Sequence, residues 1–268
     1  MSGKRRTRVR DILSSHSFPL LFGHRGYSSR APENTMASFR AAAEAGVPGV
    51  ELDVHLCASG ELVVAHDYNL KRVTGHDGVI ERMSYGDIRA LDAGSWFDAR
   101  FAGERIPLLT DLFDAFGDSL YYDIEIKHKD RKPRELEEKL AAAIAKTGLT
   151  RNCVVSSFNP FALKTIREIA PDLLTAIIYC DDEEVPPILR HGFGKVISGC
   201  DILKPDRVKI NGGSMAFHAL FGGYPVIPWT VNDPGEAARL VKAGVWGIIS
   251  DDPAAVAPAT GKTLSTRK

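Results

Sequence analysis

The sequence predicts an α/β fold in which about eight βα units close into a TIM (β/α)₈ barrel. Two observations lead to this prediction. Short apolar segments with the character of buried strands alternate with helical segments along the chain, which is typical of a parallel sheet covered by helices. The chain has 268 residues, and one barrel of this kind takes roughly 250 residues.

The strands and helices of this fold each have a local signature. Strands are expected at residues 18–24, 49–56, 62–67, 121–127, 154–158, 174–179, 200–204, 226–232 and 245–250. Helices are expected at 35–45, 110–116, 134–146, 187–197, 214–220 and 235–242, and another starts at 159–160. The first helix follows two capping candidates, Asn34 and Thr35, and stops at Gly46, where a left-handed cap is common.

The chain divides into a barrel domain and two tails. Residues 1–16 include a basic run and are expected to form a flexible N-terminal tail. Residues 17–257 form the single barrel domain, and 258–268 form a C-terminal tail. Residues 68–107 are rich in glycine and lack a long helix, so we expect an irregular insertion over the C-terminal mouth, such as a lid. A separate subdomain is the alternative, although about 40 residues make a poor core unaided.

Composition excludes several classes of protein. Hydrophobic residues make up 44% of the chain and charged residues 25%, as in soluble globular proteins. The formal net charge is zero, which does not favour nucleic acid or an acidic membrane as a partner. We expect neither a secretory leader nor stable membrane insertion, because no suitable apolar run occurs. The four cysteines are scattered along the sequence, so we expect reduced thiols and a cytoplasmic protein.

Polar and ionisable side chains gather at the carboxyl ends of the predicted strands. Alternation along 49–56 places Glu51, Asp53 and His55 on one face, and alternation along 121–127 does the same for Glu125 and Lys127. A barrel brings the carboxyl ends of its strands to one rim. The side chains expected to converge there are His24, Arg25, Glu51, Asp53, His66, Glu125, Lys127, Ser157 and Trp229.

Three of these side chains are candidate metal ligands. Glu51, Asp53 and Glu125 offer hard oxygen donors, which suit Mg²⁺ or Ca²⁺ better than a soft metal, with Mn²⁺ as a further option. Parallel strands are usually buried on both faces, so inward carboxylates need cations or a metal. Structural salt bridges alone are the alternative interpretation. His55 continues the same face and is a weaker candidate.

The remaining side chains suit the binding and cleavage of a phosphate ester. Arg25 and Lys127 would hold an anionic group such as phosphate. His24 and His66 can serve as acid and base on opposite sides of it, whereas a single histidine would more often be structural. Trp229 is expected to contact the substrate, with ordinary packing as the alternative.

At this point the sequence resembles the glycerophosphodiester phosphodiesterase family. The resemblance runs in order from about residue 20 to 253, and five spaced motifs make it specific. These motifs are His24-Arg25-Gly26 with Pro32-Glu33-Asn34-Thr35, Glu51-Leu52-Asp53-Val54, His66-Asp67, Glu125-Ile126-Lys127, and Trp229-Thr230-Val231-Asn232. The link from Leu91-Asp92-Ala93-Gly94 to Ile106-Pro107-Leu108-Leu109 also fits.

This resemblance implies a TIM barrel that uses a divalent metal to cleave glycerophosphodiesters to sn-glycerol 3-phosphate and an alcohol. It implies the following roles: acid/base pair His24 and His66; metal ligands Glu51, Asp53 and Glu125; phosphate contacts Arg25 and Lys127; and an aromatic residue near the substrate, Trp229. Residues 181–223 match the pattern loosely, and the far wall of the pocket, which selects the leaving alcohol, falls there.

Two other functions remain open at the level of sequence. A lysophospholipase D or a phosphatidylinositol-type phospholipase on the same barrel would need an apolar entry, which Trp96, Phe97 and Phe101 could line. A non-catalytic phosphodiester-binding module would need the loss of a metal ligand or an acid/base residue, and none is missing.

Overall fold

The computed structural model describes residues 7–11, 13, 18–128, 135–183, 185–215 and 223–264. Its strands are β1 (Leu20–His24), β2 (Gly49–Leu56), β3 (Leu62–Val64), β4 (Tyr121–Ile126), β5 (Cys153–Ser157), β6 (Leu174–Tyr179), β7 (Ile202–Pro205) and β8 (Gly247–Ser250). Its helices are α1 (Met36–Ala45), α2 (Lys71–Thr74), α3 (Tyr85–Ala90), α4 (Leu109–Phe116), α5 (Glu135–Thr147), α6 (Pro160–Ile169), α7 (Gly194–Ser198), α8 (Pro234–Lys242) and α9 (Pro253–Val256).

Seven strands form a parallel sheet that curls into a barrel. Their order is β7-β6-β5-β4-β2-β1-β8, and every neighbouring pair on this path is parallel. The eighth stave is the segment 226–231. Val226 bridges to Leu203 of β7, and Trp229 bridges to Asp206 directly after β7. On the other side, the Val231 amide donates to the Ile249 carbonyl of β8 at 2.9 Å. This ring closure confirms the predicted TIM barrel. The eighth stave is irregular in part because Pro228 has no amide hydrogen to donate.

The strand expected at 62–67 is observed as β3 and is not one of the parallel strands of the barrel. This strand runs antiparallel to β2, with Val54 opposite Val64, and lies off the barrel path. The turn between them is too short for a parallel crossover, which needs a dozen or more residues. Gly60 in that turn adopts φ +92°, a conformation that glycine accepts readily. His66 therefore reaches the mouth from a hairpin.

Side chains fill the barrel in two zones. At the amino ends of the strands the interior is apolar and contains Leu20, Phe22, Tyr121, Val154, Leu174, Ile202 and Ile249. The outward side chains of the same strands pack against the helices in a second cluster that includes Leu52, Phe39, Leu140 and Leu163. Towards the carboxyl ends, the inward positions become carboxylates, lysines and histidines. The apolar lower zone thus supports a polar upper zone.

Part of the predicted N-terminal tail is packed onto the barrel floor. Residues 7–11 are helical, and Val9 and Leu13 are 1% and 0% exposed within the apolar lower zone. Arg8 Nη2 donates to the Leu173 carbonyl at 3.0 Å, and Arg151 donates to the Asp11 carbonyl at 2.6 Å. The prediction of a flexible tail is wrong for these residues, because their apolar side chains close the open lower end of the barrel. Residues 1–6, 12 and 14–16 lie outside the described residues.

The predicted C-terminal tail also packs against the barrel where it is described. A 3₁₀ turn covers Ala257–Thr260, Thr260 is buried, and Lys262 Nζ donates to the Pro19 carbonyl at 2.7 Å. Residues 265–268 lie outside the described part. The barrel domain therefore extends beyond the predicted boundary at residue 257.

The insertion 68–107 contains only short helices, as the sequence predicts. It has a small core of its own, formed by Leu70, Ile80, Ile88, Ala93 and Ile106 together with Cys57, Val63 and Ala65 of the β2–β3 hairpin. Because that hairpin extends the carboxyl end of β2, the insertion stands beside the mouth.

The outer ring differs from the prediction between β6 and β7. The helix expected at 187–197 is reduced to the five residues of α7, since glycines interrupt the segment. After β7, residues 212–215 are helical, so the helix expected at 214–220 begins two residues earlier, and residues 216–220 lie outside the described residues. In the described part of the chain, the helices are too short or too polar to cross a membrane.

Candidate active site

Three buried carboxylates meet at the carboxyl ends of β2 and β4. The parallel register places Asp53 opposite Glu125, and alternation along β2 turns Glu51 inward as well. One oxygen from each carboxylate lies within 4.8 Å of the others, and the three residues are 3%, 1% and 7% exposed. The structure therefore brings together the three acids that the sequence proposes as metal ligands.

Cations flank two of these carboxylates. Lys127 Nζ lies 3.0 Å from Asp53 Oδ1 and 2.6 Å from Glu125 Oε1, and Arg25 Nε lies 3.5 Å from Asp53 Oδ2. Burial alone would raise the pKa of Asp53, but the positive charges of Lys127 and Arg25 hold that pKa far below its usual range. Burial alone would lower the pKa of Lys127, but Asp53 and Glu125 raise it. Asp53 and Lys127 are thus both charged at neutral pH.

Glu51 is the carboxylate whose charge is least compensated. Its Oε2 accepts the Arg25 amide hydrogen at 3.2 Å and lies 3.8 Å from His24 Nε2. Within the described part of the chain it makes no ion pair with a lysine or an arginine. Burial and the negative charge of Asp53 raise the pKa of Glu51 to about 7. A divalent cation shared by the three acids would offset this excess negative charge, so the residues fit such an ion.

Both candidate catalytic histidines are oriented by a carboxylate. His24 Nδ1 lies 2.6 Å from Asp251 Oδ1, and His66 Nδ1 lies 2.7 Å from Asp67 Oδ1. In each ring the Nε2 atom is therefore the nitrogen left for proton transfer. The Ala65 amide donates to the Asp53 carbonyl at 3.1 Å, which ties the end of β3, and so His66, to the metal-ligand strand.

The environments of the two imidazoles shift their pKa values in opposite directions. Burial lowers the pKa of His24, but the charge of Glu51 and the hydrogen bond to Asp251 outweigh it, so the net pKa is raised above 6.5. For His66 burial prevails over the attraction of Asp53, and the pKa is lowered below 6.5.

The loop after β1 places Arg25 against the carboxylates. Arg25 and Asn34 both adopt positive φ angles, +54° and +55°, and the Asn34 amide donates to the Arg25 carbonyl at 3.0 Å. Asn34 Nδ2 donates to Asp53 Oδ2 at 2.9 Å, so Asn34 belongs to the site and does not cap α1. Thr35 is the N-cap. Sequence reasoning offered both residues as caps and could not separate them.

Beneath the carboxylates lies a buried lysine that sequence reasoning missed. Lys204 Nζ of β7 contacts Asp123 Oδ2 at 2.9 Å and Ser156 Oγ at 3.0 Å. The Lys204 carbonyl accepts a hydrogen bond from Trp229 Nε1 at 3.0 Å, and the Trp229 ring meets Phe158 edge-on at 5.8 Å. Trp229 thus lines the barrel interior and joins the site through Lys204. The sequence signal that could have identified Lys204 as buried was its place within a short apolar strand.

Two further residues depart from or extend the expected set. His55 is not part of the carboxylate cluster: its Nε2 faces the His66 carbonyl at 3.3 Å, and its ring packs on Tyr68. Asp251, the partner of His24, follows β8 directly. Its position at a strand end is the same signal that identified His24, so it could have been found from the sequence.

Comparison with known proteins identifies the family of this chain. The model of the glycerophosphoryl diester phosphodiesterase family matches residues 24–255. A glycerophosphodiester phosphodiesterase of Caldanaerobacter subterraneus subsp. tengcongensis is 34% identical over 248 residues, which cover 87% of this chain and 94% of that protein.

Solved structures share the fold over nearly their whole length. A phosphodiesterase from Oleispira antarctica, in complex with the product sn-glycerol-3-phosphate, has a TM-score of 0.76 at 29% identity and covers 90% of this chain and 96% of its own. A glycerophosphodiester phosphodiesterase from Agrobacterium tumefaciens has a TM-score of 0.74 at 25% identity, with coverages of 88% and 98%. The family match spans the site from His24 to Asp251. The chain therefore belongs to the glycerophosphoryl diester phosphodiesterase family.

Proposed function

We propose that this protein hydrolyses glycerophosphodiesters to sn-glycerol 3-phosphate and an alcohol, with a divalent cation and two histidines. The observation that carries the proposal is the convergence of Glu51, Asp53 and Glu125 within 4.8 Å beside two imidazoles that are each held by a carboxylate. The product seen in the Oleispira antarctica phosphodiesterase supports a small-molecule substrate of this class.

The three carboxylates are the proposed ligands of one divalent cation. The family depends on such metals in general, and the donor set fits one. All-oxygen donors favour Mg²⁺ or Ca²⁺, with Mn²⁺ as a close substitute. When bound, the ion supplies positive charge that stabilises the charge developing on the phosphoryl oxygens.

Arg25 and Lys127 are the proposed phosphate contacts. Two N–H bonds of the Lys127 ammonium are directed at Asp53 and Glu125, and the third is available to a phosphate oxygen. Arg25 keeps its guanidinium at the same edge through Glu33, 2.8 Å from its Nη1. Both cations are largely buried, so their electrostatic effect on the transition state is little screened by water.

The two histidines are the proposed acid/base pair. One Nε2 removes a proton from the nucleophile, which is the neighbouring glycerol hydroxyl or a water molecule. The other Nε2 protonates the alkoxide that leaves when the phosphorus–oxygen bond breaks. With the hydroxyl as nucleophile, a cyclic phosphate forms first, and water then opens it. General acid–base help of this kind is typically worth about 10²–10⁴-fold in rate.

The test is the identity of the products by ³¹P NMR. Purified protein with Mg²⁺, Ca²⁺ or Mn²⁺ is expected to convert glycerophosphocholine to sn-glycerol 3-phosphate, and EDTA is expected to stop the reaction. His24→Ala and His66→Ala should each lose at least about 10²-fold in kcat. Phosphocholine as the product, or near-normal turnover in both variants, would refute the proposal. Lysophospholipid vesicles assayed in parallel distinguish a lysophospholipase D, for which the vesicle would be the better substrate.

A further inference from the structure

Arg72, in the insertion, lies between two carboxylates at the edge of the site. Its Nε donates to Asp67 Oδ2 at 2.7 Å. Its Nη1 and Nη2 donate to the two oxygens of Glu33 at 2.9 and 2.7 Å. One guanidinium therefore joins the β2–β3 hairpin, which carries Asp67, to the loop after β1, which carries Glu33.

Each of these carboxylates also holds a residue of the site. Asp67 Oδ1 contacts His66 Nδ1 at 2.7 Å, and Glu33 Oε1 accepts from Arg25 Nη1 at 2.8 Å. The contacts form an unbroken chain from the imidazole of His66, through Arg72, to the guanidinium of Arg25. Its two ends are a proposed proton-transfer group and a proposed phosphate contact.

The guanidinium group is well suited to this central position. It is planar and presents its N–H bonds in a fixed fork, so the two carboxylates that it binds are held in a set relation to each other. A lysine ammonium in its place could contact both carboxylates, as Lys127 does, but its freely rotating donors would not fix the angle between them.

Another residue of the insertion, Trp96, also lies against Arg72. The Arg72 guanidinium carbon lies 5.8 Å from the centre of the Trp96 ring, and Trp96 Nε1 donates to the Ala93 carbonyl at 2.9 Å. The Arg72 side chain is 44% exposed. Ion pairs exposed to this extent contribute little to stability, so a role in orienting the site explains the five-residue network better than a role in folding.

We propose that Arg72 is a positioning residue that sets the orientation of His66 through Asp67 and that of Arg25 through Glu33. The inference deepens the proposed function and rests on it. The insertion, which stands beside the mouth, then acts on proton transfer and phosphate binding through Asp67 and Glu33.

The test compares Arg72→Ala with Lys71→Ala. Lys71 is the neighbouring residue on α2, its side chain is 69% exposed, and it pairs with the exposed Asp77. In the Mg²⁺-loaded full chain, Arg72→Ala should lower kcat by about 10–100-fold, the range typical of residues that orient catalytic groups, and should raise KM as Arg25 loosens. Arg72→Lys should recover only part of the loss, and Lys71→Ala should match the wild type.

A double-mutant cycle separates orientation from a general structural role. If Arg72 acts on His66 through Asp67, then Arg72→Ala should cost much less in an Asp67→Asn background than in the wild type. The His66 ring gives an independent readout by ¹⁵N NMR. The wild type and Lys71→Ala should show a single tautomer protonated at Nδ1, whereas Arg72→Ala should show a mixture.

Additive losses in the cycle, or an unchanged His66 tautomer in Arg72→Ala, would overturn the inference. Arg72→Lys keeps the charge and serves in the same comparisons if Arg72→Ala does not fold. A wild-type protein without turnover of any glycerophosphodiester would refute the proposed function, and the ring spectra would still decide the action of Arg72 on His66.

Discussion

Two histidines with the same kind of partner face different surroundings. Both rings bind a carboxylate through Nδ1, but only His24 also lies beside Glu51, at 3.8 Å. The extra negative charge favours the imidazolium form of His24, while burial favours the neutral form of His66. Proton transfer in both directions at one pH requires such a difference between two otherwise similar groups.

This difference predicts the order of titration in the chelator-treated protein. The His24 pKa should lie above 6.5 and the His66 pKa below 6.5, so that at pH 6.5 His24 is mainly protonated and His66 mainly neutral. Glu51→Gln should lower the His24 pKa, because it removes the charge that raises it. Histidine ¹H–¹⁵N NMR across pH 4–9 measures both values. The reverse order would show that the electrostatics described for the site are wrong.

At the scale of elements, the turn from β1 into α1 determines the position of the Arg25 backbone and so where its side chain lies. The Gly26 amide donates to the Gly23 carbonyl at 3.2 Å, and the two residues are packed so closely that a Cβ on Gly23 would overlap the Gly26 carbonyl oxygen. At the far end of α1, Gly46 adopts φ +78° and a Cβ there would meet no atom within 4 Å. One glycine is needed for close packing and the other for its backbone conformation.

Alanine substitutions at these glycines should therefore differ: one should lower kcat/KM and the other should lower stability. Gly23→Ala should displace the loop that carries Arg25, and a shift near 1 Å can cost about 10²-fold in kcat/KM. Gly46→Ala should cost roughly 1–2 kcal/mol of stability from the left-handed backbone and leave kcat/KM unchanged. Urea unfolding and steady-state kinetics on both variants check this. Equal kinetic losses would contradict a specific role for the β1–α1 turn.

The elements also show which parts of the site could be predicted from sequence. The inward orientation of three side chains could be predicted, because period-two alternation in a parallel strand determines which side chains face the barrel interior. These are Glu51, Asp53 and Glu125. His66 lies near the metal-ligand strand, as expected, although β3 is antiparallel to it. Arg72 could not be identified, because its partners lie 5 and 39 positions away and nothing in its local sequence indicates them.

At the scale of the whole molecule, the two ends of the barrel differ. Val9 and Leu13 close the end formed by the amino ends of the strands, and the candidate active site lies at the other end. The alternation of strands and helices was sufficient to predict the barrel, and the stave 226–231 closes it despite Pro228. The plug formed by Val9 and Leu13 was missed because the basic residues around them suggested a solvated segment. Burial of two isolated apolar side chains depends on the open end of the barrel, which exists only in three dimensions.

The plug predicts a stability effect without a kinetic one. Leu13→Ala should lower the free energy of unfolding by about 2–5 kcal/mol, as for other buried leucines, while kcat at low temperature stays unchanged because the site lies at the opposite end of the barrel. Val196→Ala, at a position that is 76% exposed, is the matched control and should be nearly neutral. Urea unfolding measures the free energy of unfolding of both variants. Equal values for the two would show that the N-terminal segment does not close the barrel.

The central claim is that Glu51, Asp53 and Glu125 hold one divalent cation at the barrel mouth. Calorimetric titration of the chelator-treated chain with Mn²⁺ tests it most directly, with Glu51→Gln as the site variant and the exposed Glu81→Gln as the control. The structure predicts one ion per chain for the wild type and for Glu81→Gln, and clearly weaker binding for Glu51→Gln. Equal binding by all three proteins, or no binding by the wild type at millimolar Mn²⁺, would contradict the account.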